Sequence, residues 1–198
     1  SIMNIAPNDY DITTNARPEE IKNVFRDFKL ILTGEKHGTV AVITNGGIIE
    51  ITSYRLEKGY TDGRHPDNVE FTSSLIEDLR RRDFTVNAMA YGIHDGLIDP
   101  FNGRDDIKNK IIRTVGAPEK RFEEDALRIL RGLRFSSRLG FSIESGTAEA
   151  VHNLRLLLKN ISAERIRDEF VQIIRGQNAG EVLKSYRDVI SVSYTHLR

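Results

Sequence analysis

A chain of 198 residues without cysteine excludes disulfides, thiolate nucleophiles and cysteine metal sites, so any metal has to be held by oxygen or histidine ligands. Lysine plus arginine and aspartate plus glutamate both total 29, for a formal net charge of +0; no overall field draws in a polyanion, and phosphate binding must be local. The apolar runs at residues 38–43 and 154–158 are far shorter than the roughly 20 residues that span a bilayer, which points to a cytoplasmic protein with no membrane segment.

In chain order, residues 7–13 read as a turn feeding a strand. Residues 18–28 read as a helix opened by Thr14 or Asn15, with Pro18 near its first turn. Residues 39–44 and 48–55 are β-rich and separated by Asn45-Gly46-Gly47, a hairpin signal because these residues accept positive φ. Residues 58–68 show no periodicity and predict a mobile loop. Ser73 or Ser74 then opens a helix expected to run through Arg80-Arg81-Arg82 to about Tyr91. Turn chemistry follows at Asp95-Gly96 and at residues 99–103, and residues 107–115 form a last short element. Beyond Pro118 the chain reads as successive helices punctuated by Gly140, Asn160, Gly176 and Gly180. The shift from strands to helices predicts an α+β chain with a first unit over residues 1–115 and a helical unit over 116–191; residues 192–198 look foreign to both.

Asp9 and Asp11 stand two apart on the first predicted strand, which puts both carboxylates on one face. Paired carboxylates suit Mg²⁺ beside a polyphosphate, although an isolated Asp-x-Asp is common in turns. Glu50 interrupts the apolar run of residues 48–52. It is either a satisfied residue on a two-faced sheet or a third carboxylate at the same centre. On the helix expected across residues 80–88, Arg82, Asp83 and Asn87 come close enough to meet a sugar or phosphate; a plain ion pair is the alternative. Over residues 118–138, at about 100° per residue, Phe122, Ala126, Ile129, Leu130 and Leu133 form a core stripe. Glu124, Arg128, Arg131 and Phe135 lie opposite, with Asp125 at the flank. Asp125 and Arg128, as i, i+3 neighbours, can offer acceptors and a fork of donors to a base edge. Phe135 on the charged side implies a cover, either the first unit or a ligand; surface salt bridges on an ordinary amphipathic helix are the alternative for the whole face.

In this order and spacing, the segments resemble the class II tRNA nucleotidyltransferases and the bacterial poly(A) polymerases, of the polymerase-β-like superfamily. Residues 9–16 look like their metal motif, 36–40 the following loop and strand, 81–88 the ribose motif, 99–107 the hinge motif, and Glu124-Asp125-Ala126-Leu127-Arg128 the amino-acid template for the incoming base. The resemblance implies a polymerase-β-like head, a five-stranded mixed sheet with helices, followed by an all-α neck. It also implies template-independent addition of C and A from CTP and ATP to the tRNA 3′ end. Asp9 and Asp11 would hold two Mg²⁺ ions, Glu50 would activate the 3′-hydroxyl, and Arg82, Asp83 and Asn87 would meet the ribose. Glu124, Asp125 and Arg128 would read the base, with Arg131 and Arg134 helping to bind the nucleotide.

Residues 59–69 resemble the loop of the CCA-type enzymes and favour them over poly(A) polymerases. A CC-adding or A-adding specialist and a catalytically dead RNA-binding module remain as alternatives. Family members carry Gly-Gly-x-x-Arg-Asp just upstream of the Asp-x-Asp, and residues 1–6 do not match it. That phosphate grip and one strand are therefore expected to be absent, and this chain by itself to be weak or inactive.

Overall fold

The computed structural model describes residues 11–59 and 68–195. They form two compact units, residues 11–59 with 68–81 and residues 82–195. In the first unit, β1 (Asp11–Thr14), α1 (Pro18–Val24), β2 (Lys29–Ile31), β3 (Thr39–Thr44) and β4 (Gly47–Ser53) precede a hairpin of β5 (Arg55–Lys58) and β6 (Asn68–Phe71) and the short helix α2 (Leu75–Arg80). The described residues build a four-stranded mixed sheet, β1-β4-β3-β2, in which β1 runs parallel to β4 and the other pairs are antiparallel. Its apolar side is closed by α1: Ile21 packs with Val40, Val42 and Ile51, all buried.

Local chemistry departs from expectation at three places here. The helix α1 starts from Arg17, whose N–H is accepted by Glu20 Oε2 at 2.7 Å, while Thr14 Oγ1 instead accepts from Ala16 N at 3.1 Å. It ends at Val24, short of residue 28. In the β3–β4 hairpin only Gly47 takes a positive φ, 126°; Asn45 and Gly46 do not. The helix α2 opens at Ser74, as expected, but stops at Arg80. Arg80 and Arg81 then serve carboxylates of their own unit: Arg80 pairs with Glu77 at 2.6 Å, and Arg81 bridges Asp78 and Glu57 at 2.9 and 2.8 Å.

The second unit contains the hairpin β7 (Ala90–Gly92) and β8 (Gly96–Ile98), α3 (Gly103–Asn109), β9 (Ile111–Ile112), α4 (Pro118–Glu124), α5 (Leu127–Leu139) and β10 (Ser142–Ile143). It continues with α6 (Ser145–Asn153), α7 (Ala163–Ile174), α8 (Ala179–Ser185) and α9 (Arg187–Thr195). Residues expected to continue α2 instead make a 3-10 turn at Thr85–Asn87, preceded by extended Phe84, which bridges to Thr114. The helix expected across residues 118–138 is two helices, broken at Asp125 and Ala126. Its core stripe survives the break: Phe122, Ile129, Leu130 and Leu133 are fully buried with Val151, Leu158, Ile166 and Ile173. Each such side chain contributes on the order of 2 kcal/mol by leaving water. Gly140 ends α5 with φ 67°, the left-handed cap its position suggested. The helix α9 continues through residues 192–195, with Val192 against the core and Ser193 buried.

Glu144 caps α6, accepting from Gly146 N at 3.0 Å and from Thr147 N and Oγ1 at 2.8 and 3.0 Å. Burial alone would raise its pKa, but these donors and the Ser145 hydroxyl pull it down to about 2. A depressed carboxylate stabilises the fold fully above its unfolded value and loses that contribution as pH falls toward the folded one. Glu144→Ala is therefore expected to cost about 1 kcal/mol at pH 7. The deficit should shrink steadily below about pH 4.5, as read by urea denaturation at a series of pH values.

Candidate active site

In the first unit the sheet register brings Asp11 and Glu50 together. They are direct partners on the adjacent parallel strands β1 and β4, so both carboxylates belong to one face. Ile51 on β4 turns toward α1, which leaves Glu50 and Thr52 on the opposite face. That face is polar: Thr39 and Thr52 share a hydroxyl hydrogen bond of 3.0 Å, and Thr13 Oγ1 donates to the Thr52 carbonyl at 3.2 Å. Asp11 and Glu50 are both exposed on it. The register sets Glu50 beside Asp11, and its exposure on a polar face also fits a residue satisfied on a two-faced sheet. Asp9 lies outside the described residues, and among the described residues no three His, Asp or Glu side chains are gathered as a metal site. Two hard oxygen donors side by side fit part of the coordination shell of a divalent cation such as Mg²⁺.

In the second unit, Asp83 is buried and both of its oxygens are hydrogen-bonded. Oδ1 accepts from Phe84 N at 2.8 Å and Asn87 Nδ2 at 3.1 Å, while Oδ2 accepts from Arg131 Nε at 2.7 Å and is ion-paired with its Nη2 at 2.6 Å. Burial pushes its carboxyl up, but the Arg131 guanidinium and the Asn87 and Phe84 donors outweigh this and hold it below the usual carboxylate range. Arg82 Nη1 donates to the Asn87 carbonyl at 3.4 Å. Arg82, Asp83 and Asn87 do converge, as expected, but through a 3-10 turn tied to α5, since α2 has already ended.

The opposite side of α5 meets carboxylates at each step. Arg128 Nη1 donates to Glu124 Oε2 at 2.7 Å and to the Arg121 carbonyl at 3.1 Å. Arg134 Nη1 donates to Glu169 Oε1 at 3.1 Å, and burial raises the Glu169 carboxyl against the pull of Arg134 and Arg131. Phe135 is covered by Phe84, edge to face at 5.7 Å, with the guanidinium groups of Arg131 and Arg134 over its ring at 5.7 and 4.8 Å.

Asp125 is not a helical i, i+3 neighbour of Arg128. It is extended, with φ −146° and ψ 106°, at the break between α4 and α5. Its Oδ1 accepts from Leu127 N at 3.0 Å, so the aspartate satisfies a donor at the start of α5, and this local bond competes with a continuous helix. Its Oδ2 accepts from Arg165 Nη2 on α7 at 3.1 Å. Arg165 has no role in the sequence reading: its partner is 40 residues away, and no spacing rule links them.

The family model of the poly A polymerase head domain matches residues 1–113, and that of the probable RNA and SrmB-binding site of polymerase A matches residues 140–189. The CCA-adding enzyme of Lactobacillus helveticus (strain DPC 4571) is 51% identical over 180 residues, 91% of this chain and 45% of that protein. The crystal structure of the Bacillus stearothermophilus CCA-adding enzyme in complex with CTP is 42% identical, with a TM-score of 0.83 over 93% of this chain and 44% of that one. A tRNA nucleotidyltransferase complexed with a primer tRNA and an incoming ATP analog is 30% identical, with a TM-score of 0.75 over 96% of this chain and 54% of that one. The chain thus spans about half the length of the relatives it matches. With a head-domain model covering more than half its residues and a mixed sheet that pairs the motif carboxylates, the chain belongs to the family of tRNA nucleotidyltransferases and bacterial poly(A) polymerases.

Proposed function

We propose that the protein adds C and A from CTP and ATP to the 3′ end of tRNA without a nucleic-acid template, releasing pyrophosphate. The observation that carries this reading is the registered pair Asp11 and Glu50 on an open polar sheet face, in a chain whose relatives are seen with CTP, an ATP analog and primer tRNA. The tRNA 3′-oxygen attacks the α-phosphorus in line, the new O–P bond forming as the bond to pyrophosphate breaks. Glu50 takes up the proton of that hydroxyl. Asp9 and Asp11 would hold two Mg²⁺ ions, which when bound neutralise charge on the polyphosphate. A tRNA substrate is in keeping with a cytoplasmic protein. Among the described residues no helix is long and apolar enough to cross a membrane.

The second unit supplies selection. Arg82, Asp83 and Asn87 form the ribose subsite, braced by Arg131. Cytosine and adenine each present an amino donor beside a ring-nitrogen acceptor on the pairing edge, whereas uracil and guanine present a carbonyl beside an N–H. An acceptor from Asp125 and a donor from Arg128 therefore suit C and A and oppose U and G. Glu124 orients Arg128, and Arg131 and Arg134 complete the nucleotide side of α5.

The direct test supplies the full-length protein with tRNA lacking its 3′ CCA and each nucleotide; C, C, then A should be added in order. Addition of A residues alone would instead assign a poly(A) polymerase. Arg128→Ala is expected to relax the preference for CTP over UTP by about tenfold or more, since a mispaired polar edge costs several kcal/mol only while the site's own groups are in place. Unchanged selectivity would remove Arg128 from base reading.

A further inference from the structure

We propose that Arg165 is a positioning residue that fixes the Asp125 carboxylate for base reading. The inference rests on the reading above, that Asp125 meets the incoming base. Asp125 stands outside both flanking helices in an extended conformation, so no helical turn beneath it restricts its side chain. Two contacts supply what the helix does not. Leu127 N holds Oδ1 at 3.0 Å, and Arg165 Nη2 holds Oδ2 at 3.1 Å and reaches Oδ1 at 3.5 Å.

The anchor is firm because Arg165 sits in the first turn of α7, next to fully buried Ile166, and α7 packs along α5. Its side chain and that of Asp125 are both mostly covered, 21% and 17% exposed. A planar guanidinium sets the direction of a carboxylate better than a lysine ammonium does. Selection between an amino group and a carbonyl depends on an acceptor that cannot swing away, because a carboxylate free to rotate can avoid an unfavourable carbonyl as easily as it meets an amino group. Arg165 thus acts on specificity through Asp125 and need not touch the nucleotide.

The experiment measures kcat/KM for CTP and for UTP at the first added position, together with thermal stability, for the wild type, Arg165→Ala, Arg165→Lys, Asp125→Ala and the double variant Arg165→Ala with Asp125→Ala. Arg165→Ala should lower the CTP-to-UTP ratio on the order of tenfold, and Arg165→Lys should restore part of it. The double variant should be no less selective than Asp125→Ala alone, since the two residues act through one acceptor. Equal losses for both nucleotides with the ratio unchanged, or additive effects in the double variant, would overturn the inference while leaving Asp125 as the reader. If Asp125→Ala itself keeps the wild-type ratio, the base-reading assignment fails, and the role given to Arg165 fails with it. Should Arg165→Ala not fold, Arg165→Lys and Arg165→Gln carry the same comparison: a shifted ratio supports the positioning role and an unshifted one ends it.

Discussion

Replacing Asp11 with alanine should depress nucleotide addition to tRNA on the order of 10³-fold or more, for CTP and ATP alike. The loss should be this large because in-line phosphoryl transfer leaves the protein little to do beyond positioning and neutralising charge, and the proposed mechanism assigns Asp11 to the carboxylate set that does both. The loss should also be clean. Asp11 is exposed at the start of β1 and its side chain is not part of the packed layer beneath α1, so stability should change by no more than about 0.5 kcal/mol. Initial rates at saturating nucleotide, set beside a denaturation curve, separate the two effects. A variant that folds normally and adds nucleotides within tenfold of the wild-type rate would remove β1 from the chemistry.

The second large effect concerns the fold of the second unit. Phe84→Ala should lower stability by about 4 kcal/mol, the usual cost of deleting a fully enclosed phenylalanine. Phe84 has 0% exposure, lies in the bridge to Thr114 and packs edge to face on Phe135. The consequence extends beyond the cavity. Phe135 carries the guanidinium groups of Arg131 and Arg134 over its ring, and Arg131 is the group that holds Asp83. Weaker discrimination between ribonucleotides and deoxyribonucleotides should therefore accompany the fall in melting temperature, whereas Phe84→Leu, which fills most of the volume, should retain much of both. A stability loss under about 1 kcal/mol would contradict this account of the packing.

Features written in short-range periodicity were legible in the sequence. The stripe of Phe122, Ala126, Ile129, Leu130 and Leu133 and the strands around Asn45 are set by neighbours a few residues away, and they appear where the pattern puts them. The two misread helices around Asp83 and Asp125 share one cause, a side chain with a remote partner, whereas the start of α1 and the β3–β4 turn differ through local bonds and φ. Nothing between Arg80 and Tyr91 breaks a helix by propensity; the helix ends because Asp83 serves Phe84, Asn87 and, 48 residues on, Arg131. The break at Asp125 contains neither proline nor glycine, and its local bond to Leu127 is joined by an ion pair with Arg165 that sequence spacing does not reveal. In the candidate site, residue types and order were readable, but orientation was not. Asp125 and Arg128 are close in sequence without sharing a helix, and Glu50 joins Asp11 only through strand register.

The hairpin of β5 and β6 offers an engineering handle. Lys58 and Asn68 are paired across it, so the two ends of the segment between them are held side by side. Exchanging that segment for one of another length leaves the ladder's own bonds in place and adds only about 0.6 kcal/mol of closure entropy for each doubling. Segments transplanted between family members at these ends would let their nucleotide programmes be compared on one unchanged scaffold.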